Sequence, residues 1–258
     1  MIMNNELDNK GYTILRGIVS EEWLNTLSEA VDKAFLEHQN VQSYNGNEIK
    51  GYGVALHVLL SNNVFIEFLQ ELISNGFINE IRNIFFDGHP CILNSFSALD
   101  NVPNTPNFSA VIHRDLRFYS GVFPMMLNCL VMVDDFTEEN GGTYLFTGSH
   151  MSERKPTDEE FYKKAIQATG KRGDILIFNA NVWHSSAPNK TEGHRRAIPI
   201  TISRTFMKQL LDYPRALGNN KEFTPELRQL LGYDSRVPAS LDEWYQPEDK
   251  RYYKKGQE

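Results

Sequence analysis

The amino-terminal third of the chain carries apolar residues at helical spacing. Trp23, Leu27, Val31 and Phe35 recur every four positions after Ser20, a residue type that often caps a helix amino terminus. This pattern predicts an amphipathic helix of about sixteen residues. Similar repeats predict further helices over residues 62–76 and 78–85, and weak alternation predicts a short strand at residues 11–16.

Beyond these helices the pattern changes to one typical of strands. Strands are predicted at residues 91–99, 109–113, 125–134, 143–146, 173–180 and 195–204. The turn at residues 138–142 predicts that the strands on its two sides form a hairpin. A capping box at Thr157 predicts a helix that Gly170 ends, and Thr224 followed by Pro225 predicts a helix in the tail. Helices, then strands, then helices indicate an α+β fold.

Composition excludes several classes of partner. The chain has 258 residues, of which 41% are hydrophobic and 23% charged, as in ordinary folded domains. A formal net charge of -7 disfavours nucleic acid and anionic membranes as partners. No apolar run approaches the roughly 18 residues that span a bilayer, and a signal-peptide pattern is absent. Cys91 and Cys129 lie in apolar runs, which favours a reducing, cytoplasmic location. The sequence leaves the oligomeric state open.

Three residues are candidate metal ligands. If the strand predicted at residues 109–113 continues, alternation sends His113 and Asp115 to one side and Arg114 to the other. His184, just after the strand at residues 173–180, is the best third ligand. Two histidines and one carboxylate form the face that holds a non-haem Fe(II) with open positions. A strand-borne pair and a distant histidine converge only if the sheet folds over on itself, as in a double-stranded β-helix or jelly roll.

Five segments form a pattern together. They are His113-x-Asp115 and residues 127–128, 134–142, 148–150 and 184–195. In order and spacing they resemble phytanoyl-CoA dioxygenase-like proteins, and the similarity covers roughly residues 90–205. The resemblance implies a cupin-like double-stranded β-helix backed by helices, with Fe(II), 2-oxoglutarate as co-substrate, and O2. We expect one domain over residues 1–258, in which residues 20–86 and 206–258 pack around this core.

The resemblance also implies roles for individual residues. His113, Asp115 and His184 would bind the iron as the catalytic centre. The residues implied to contact the co-substrate are Arg195, Ser186, Asn128, Thr143 and Asn94. Arg195 stands eleven residues after His184, and its planar guanidinium suits bidentate pairing with the far carboxylate of 2-oxoglutarate.

The implied reaction is hydroxylation, or another oxidation, of a C–H bond in a small-molecule metabolite, with release of succinate and CO2. Related halogenating enzymes replace the carboxylate ligand with a small residue, so Asp115 favours oxidation. Two alternatives remain. A cupin-type metal-dependent hydrolase or isomerase would not need Arg195, and a non-catalytic binding protein would keep the fold without turnover.

The sequence does not identify the substrate. Arg114, Arg117 and Tyr119 follow the metal pair and are candidates to contact it, although a solvated edge or ion pairs explain them equally well. Trp183, beside His184, is more often core packing than a substrate platform. The segments expected to choose the substrate are residues 39–57, 101–107 and 151–172. The acidic balance disfavours an acyl-CoA and leaves a small polar metabolite or a natural-product scaffold as the expectation.

Overall fold

The computed structural model describes residues 2–45, 53–103 and 108–251, so the predicted loops at 39–57 and 101–107 lie partly outside the described residues. Its helices are α1 Ile2–Lys10, α2 Glu21–Tyr44, α3 Asn63–Ser74, α4 Phe77–Phe85, α5 Asp158–Lys164, α6 Tyr213–Leu217, α7 Pro225–Leu231 and α8 Leu241–Trp244. Its strands are β1 Tyr12–Leu15, β2 Val54–Ala55, β3 Cys91–Phe96, β4 Ala98–Asp100, β5 Met126–Met132, β6 Thr143–Leu145, β7 Ile166–Gln167, β8 Ile175–Asn179, β9 His184–Ser186 and β10 Arg196–Arg204. The predicted α+β class is confirmed.

The strands form two antiparallel sheets. The larger has seven strands in the order β1-β8-β5-β10-β4-β2, with β3 also paired to β10. The smaller has three strands in the order β7-β6-β9. The nine-residue strand β10 contacts β3, β4 and β5, so it is the centre of the larger sheet.

The two faces of the larger sheet have different neighbours. Ile198, Ile200 and Ile202 of β10 are buried in one cluster with Leu27 of α2 and Phe68 of α3. Alternation along β10 therefore gives the sheet a helical backing. Alternate residues of β5 and β10 face the other way, toward the smaller sheet, and the candidate site forms on that side.

Helix caps appear where the sequence predicts them. Ser20, Asn62, Thr157 and Thr224 each accept a hydrogen bond from a backbone amide in the first turn of the following helix. Helix α2 is longer than predicted because the apolar repeat stops at Phe35, while the helix continues to Tyr44 through residues that are not buried. Helix α1 was not predicted, since its sequence has no apolar repeat. Helix α5 ends at Lys164 rather than near residue 170, because β7 follows directly.

Two predictions about strands are wrong. Residues 125–134 and 143–146 do not form a hairpin, because β5 pairs with β8 and β10 whereas β6 pairs with β7 and β9. Every residue of β5 is buried, as expected for a strand covered on both faces. Residues 109–113 are not a strand; a short 3-10 turn ends at Ala110, and only His113 bridges to another strand.

A buried carboxylate joins the amino-terminal segment to the start of β8. Asp174, with 3% of its surface exposed, accepts hydrogen bonds from Arg16 Nη1 at 2.6 Å and from the amides of Gly17 at 2.9 Å and Lys171 at 2.8 Å. Burial opposes its ionisation, but the arginine and the two amides outweigh that effect and lower the pKa of Asp174. The ionised side chain therefore stabilises this contact.

No helix among the described residues combines the length and apolarity needed to cross a bilayer.

Candidate metal centre

His113, Asp115 and His184 come together between the two sheets. His113 Nε2 is 3.6 Å from Asp115 Oδ1, and His184 Nε2 is 3.6 Å from Asp115 Oδ2. One ligand atom from each residue lies within 4.8 Å of the others, which is a spacing that suits a single ion. His184 opens β9, and His113 is held against it because each residue donates its amide to the other's carbonyl, at 3.0 and 2.8 Å.

Both imidazoles are oriented by their own backbone. His113 Nδ1 lies 2.7 Å from the carbonyl of Val111, and His184 Nδ1 lies 2.9 Å from that of Val182. A neutral ring that donates from Nδ1 keeps its lone pair on Nε2, which is the atom that faces Asp115 in both residues. Burial lowers the pKa of His184 to about 4, against the opposing attraction of Asp115. This favours the neutral form that a metal ligand requires.

The carboxylate of Asp115 is held by a side chain of the larger sheet. Asn128 Nδ2 donates to Asp115 Oδ2 at 2.6 Å, and Thr201 Oγ1 donates to Asn128 Oδ1 at 2.8 Å. Asn128 and Thr201 are direct partners in the register between β5 and β10. Ligand carboxylates in metal sites are commonly fixed by such hydrogen bonds. Thr201 was not singled out from the sequence, because its role depends on its place opposite Asn128.

Arg195 is a fully buried cation with unused donors. Its side chain is 0% exposed, its Nη2 donates to the carbonyl of Gly141 at 2.9 Å, and its guanidinium lies 4.4 Å from the ring centroid of Phe136. Nε and Nη1 have no hydrogen-bond acceptor among the described residues. Burial lowers its pKa to about 10, opposed by Asp100 and Asp134, so the group stays charged at neutral pH. Buried donors without a partner are costly, which suits a site that receives an anion.

The turn at Gly141 brings its carbonyl to this guanidinium and passes close to the backbone at the end of β9. Gly141 has a φ of 88°, and a Cβ there would lie 2.1 Å from Asn101 Nδ2 and 2.4 Å from the Ala187 carbonyl oxygen. A larger residue would push β6 away from the end of β9. The Gly141-Gly142 pair of the sequence pattern therefore brings a carbonyl to Arg195, two residues before Thr143.

A cavity of about 580 Å³ opens beside the three candidate ligands and includes them in its wall. Four of the residues implied to contact the co-substrate line it: Asn94, Asn128, Thr143 and Ser186. Ser186 Oγ is 2.7 Å from Ser109 Oγ, and Asn94 Nδ2 donates to the carbonyl of Lys208 at 3.1 Å. Arg195 is not in the wall itself.

Comparison with known proteins assigns the chain to a family. Residues 7–197 match the family model for phytanoyl-CoA dioxygenase (PhyH). The chain belongs to this family. The resemblance read from the sequence is thereby confirmed, and the match begins well before the segments that suggested it.

Relatives of this PhyH-family chain include an uncharacterized protein of Mycobacterium tuberculosis, 37% identical over 158 residues, 60% of this chain and 58% of that protein. The chain thus matches little more than half of that relative's length. Dioxygenase cdmA of Talaromyces verruculosus is 23% identical over 249 residues, 90% of this chain and 82% of its own. A solved structure, the non-haem α-ketoglutarate-dependent epimerase SnoN from nogalamycin biosynthesis, shares the fold with a TM-score of 0.59 and 18% identity, over 78% of this chain and 79% of that chain.

The residues proposed for substrate contact divide into two groups in this PhyH-family chain. Arg117 lines the cavity and is exposed. Arg114, Tyr119 and Trp183 are not among the residues that line it. The guanidinium of Arg114 instead lies over the rings of Trp183 and Tyr119.

Several lining residues were not singled out from the sequence. Leu56 follows β2, and Met207, Lys208 and Leu210 follow β10. Leu56 falls within the predicted loop at residues 39–57, which was expected to cover a site. The residues after β10 carry no local pattern, because only the tertiary fold brings that segment to the cavity.

Proposed function

We propose that this PhyH-family protein is a non-haem Fe(II)- and 2-oxoglutarate-dependent dioxygenase that hydroxylates or otherwise oxidises a C–H bond of a small molecule. The observation that carries the proposal is the pairing of a two-histidine, one-carboxylate cluster with a buried guanidinium that has two unused donors. A cupin-type hydrolase or isomerase would have no use for Arg195. A binding protein would not need three ligands preset around one point.

The metal would be held by His113, Asp115 and His184. The donor set fits Fe(II), because two imidazoles and one carboxylate on one face leave the remaining positions open for co-substrate and O2. We further propose that the two facing sheets form the double-stranded β-helix expected from the sequence, and that residues 1–258 form one domain.

The co-substrate would be held by Arg195 and by four polar residues of the cavity wall. Arg195 would pair with the far carboxylate of 2-oxoglutarate, since its Nε and Nη1 have no other acceptor among the described residues. Ser186 and Thr143 are cross-strand partners on β9 and β6 and both line the cavity, where the Ser186 hydroxyl also shares a hydrogen bond with that of Ser109. Asn128 has a second amide hydrogen beyond the one given to Asp115, and Asn94 is a further candidate.

With iron held by the three ligands, the site would supply activation of O2 coupled to oxidative decarboxylation of 2-oxoglutarate, which would release succinate and CO2 and oxidise the substrate. The chain's own part is to orient and to enclose. The backbone carbonyls of Val111 and Val182 fix the two imidazoles, Asn128 fixes the carboxylate, and the apolar wall limits the access of water.

The substrate would be a molecule with an apolar body. Leu56, Phe118, Met126 and Leu210 are among the many apolar residues of the wall, whereas Arg117 belongs to its few charged residues. This lining favours a natural-product scaffold over a small polar metabolite. The likeness to an epimerase from nogalamycin biosynthesis agrees with that class. Arg117 would meet a polar or anionic group of such a substrate at the exposed part of the wall.

The experiment is an anaerobic titration of 2-oxoglutarate into metal-free protein supplied with Fe(II). The expected result is a saturable visible charge-transfer band, followed in air by substrate-dependent release of succinate. If iron is bound and no band forms, the co-substrate assignment is wrong. A cupin-type metal enzyme or a binding protein would then explain the site better.

A further inference from the structure

Arg114 lies between two candidate ligands in the sequence but on the opposite side of the chain. His113 and Asp115 face the cavity, whereas Ile112 packs in a separate apolar cluster with Trp183 and Arg114 stacks on the same Trp183 ring. The alternation expected of a strand therefore survives in this irregular segment. One side of the segment carries the candidate ligands His113 and Asp115. The other side packs on Trp183, the residue before His184.

The guanidinium of Arg114 meets aromatic rings and no carboxylate. Its Cζ is 4.9 Å from the ring centroid of Trp183 and 5.6 Å from that of Tyr119. Arg114 forms no ion pair with any residue in the described ranges, and its Nη1 is buried there without an acceptor. A planar cation over an indole face is attracted by the ring quadrupole, and more strongly when water is excluded.

Trp183 is held in a fixed position by its own backbone hydrogen bonds and ring contacts. It is 8% exposed, its amide donates to Ser149 Oγ at 2.9 Å, and its carbonyl accepts from the amide of Phe146, also at 2.9 Å. Its ring packs with Ile112 and Phe161. Because both backbone groups and the ring are fixed, a side chain stacked on Trp183 is fixed relative to His184, the next residue.

The backbone alone attaches the ligand segment weakly. His113 exchanges two hydrogen bonds with His184, and the amides of Asp115 and Leu116 share the carbonyl of Ala180 at 3.1 and 3.2 Å. No ladder of strand pairing extends through this part of the described chain. A rotation about Arg114 would move Asp115 relative to both imidazoles, so a side-chain attachment at Arg114 matters for ligand geometry.

We propose that Arg114 is a positioning residue for the metal centre. Its stacking on Trp183 fixes the His113-x-Asp115 segment against β9. Ligands from two separate parts of the chain can then bind one ion. The role rests on the proposed metal centre. It assigns Arg114 and Trp183 to ligand geometry rather than to substrate contact.

The test is a titration of metal-free protein with Co(II), which accepts the same nitrogen and oxygen ligands and reports its coordination in the visible spectrum. Arg114→Met keeps an unbranched side chain and removes the cation. We expect its Co(II) affinity to fall between about twofold and about thirtyfold, the range that a cation–π contact supports, and its visible bands to shift. Arg114→Lys, which keeps a cation, is expected to restore part of the affinity.

The pair is tested by a double-mutant cycle. Trp183→Leu is expected to weaken Co(II) binding like Arg114→Met, and the double variant to lose less than the sum of the two single variants, because both single variants remove the contact between Arg114 and Trp183. Arg154→Met is the matched control, because Arg154 is a surface arginine that pairs only with Glu160 among the described residues. Thermal melting of each metal-free variant separates lost folding from lost affinity.

Four outcomes decide the matter. Weakened affinity with shifted bands in Arg114→Met, and recovery in Arg114→Lys, support the positioning role. Wild-type affinity and spectrum in folded Arg114→Met overturn it while leaving the metal centre intact. If wild-type protein itself binds no Co(II), the proposed metal centre and the role of Arg114 both fail. Should Arg114→Met not fold, wild-type affinity and spectrum in folded Trp183→Leu overturn the role.

Discussion

Arg195→Met separates binding of the co-substrate from stability of the fold. The variant removes a guanidinium that is 0% exposed and leaves an apolar chain in its place. It loses the bond to Gly141, about 1.5–3 kcal/mol for a charged donor, and the stack on Phe136, about 2 kcal/mol when desolvated. It also removes two buried donors without acceptors, at about 1–3 kcal/mol each. The interactions that are lost and the cost that is removed with the unpaired donors nearly cancel. We therefore expect the free energy of unfolding to change by less than about 2 kcal/mol.

The co-substrate response is expected to disappear in the same variant. With Mn(II) in the metal site, 2-oxoglutarate at a hundred times its Kd should stabilise the wild-type protein by about 2.7 kcal/mol. For a chain of this size that is a rise in melting temperature of roughly 5–10 °C. Arg195→Met should show little or no rise up to the same concentration, because the far carboxylate has lost its partner. Differential scanning calorimetry measures both quantities.

The adjacent arginine is the matched control. Arg196 pairs with Asp134 through Nε at 2.9 Å and Nη2 at 3.0 Å, and it also reaches Asp32. Arg196→Met should lower the melting temperature, since Asp134 loses its partner, yet keep the full response to 2-oxoglutarate. The reasoning is refuted if Arg195→Met is destabilised by more than about 3 kcal/mol, as expected for breaking a buried ion pair, or if it keeps the wild-type response.

Three further changes test the rest of the structure. Asp115→Ala should abolish Co(II) binding and succinate release, and wild-type binding in a metal titration would remove Asp115 from the ligand set. Asn128→Ala should weaken metal binding by about 10–100-fold, since it frees the ligand carboxylate; unchanged affinity in a competition titration would speak against that bond. Asp174→Asn should lower the free energy of unfolding in urea at neutral pH. Because the folded pKa of Asp174 lies below its unfolded value near about 3.9, this difference should be complete above that pH and shrink as the pH falls through the folded value; a constant difference would contradict it.

The candidate ligand cluster could be predicted because its signal is local. His113 and Asp115 are two residues apart, and alternation holds in any extended segment, whether or not it pairs as a full strand. The predicted strand at residues 109–113 is wrong, yet the two side chains still share one side. His113 and His184 exchange two backbone hydrogen bonds. This one pair imposes locally the geometry that a whole strand would have provided.

Strand pairing could not be predicted in the same way. The turn at residues 138–142 has the composition of a hairpin, but the chain crosses there from β5 in the larger sheet to β6 in the smaller one. Leu130 and Met132 of β5 are buried with Leu145 of β6 in the cluster between the sheets. Burial on both faces of β5 decides its partners, and the sequence near the turn carries no information about that burial.

Asn128 shows that strand register determines which group a side chain binds. Alternation along β5 places it on the cavity face, but its residue type alone does not choose between a co-substrate and a ligand as partner. The register that sets Thr201 opposite Asn128 does choose, because the hydroxyl occupies Oδ1 and turns Nδ2 toward Asp115. One amide hydrogen then holds the carboxylate, and the other would remain for the proposed co-substrate, 2-oxoglutarate. Loss of Asn128 should therefore lower the affinities for metal and co-substrate together, whereas loss of Arg195 should lower only the second.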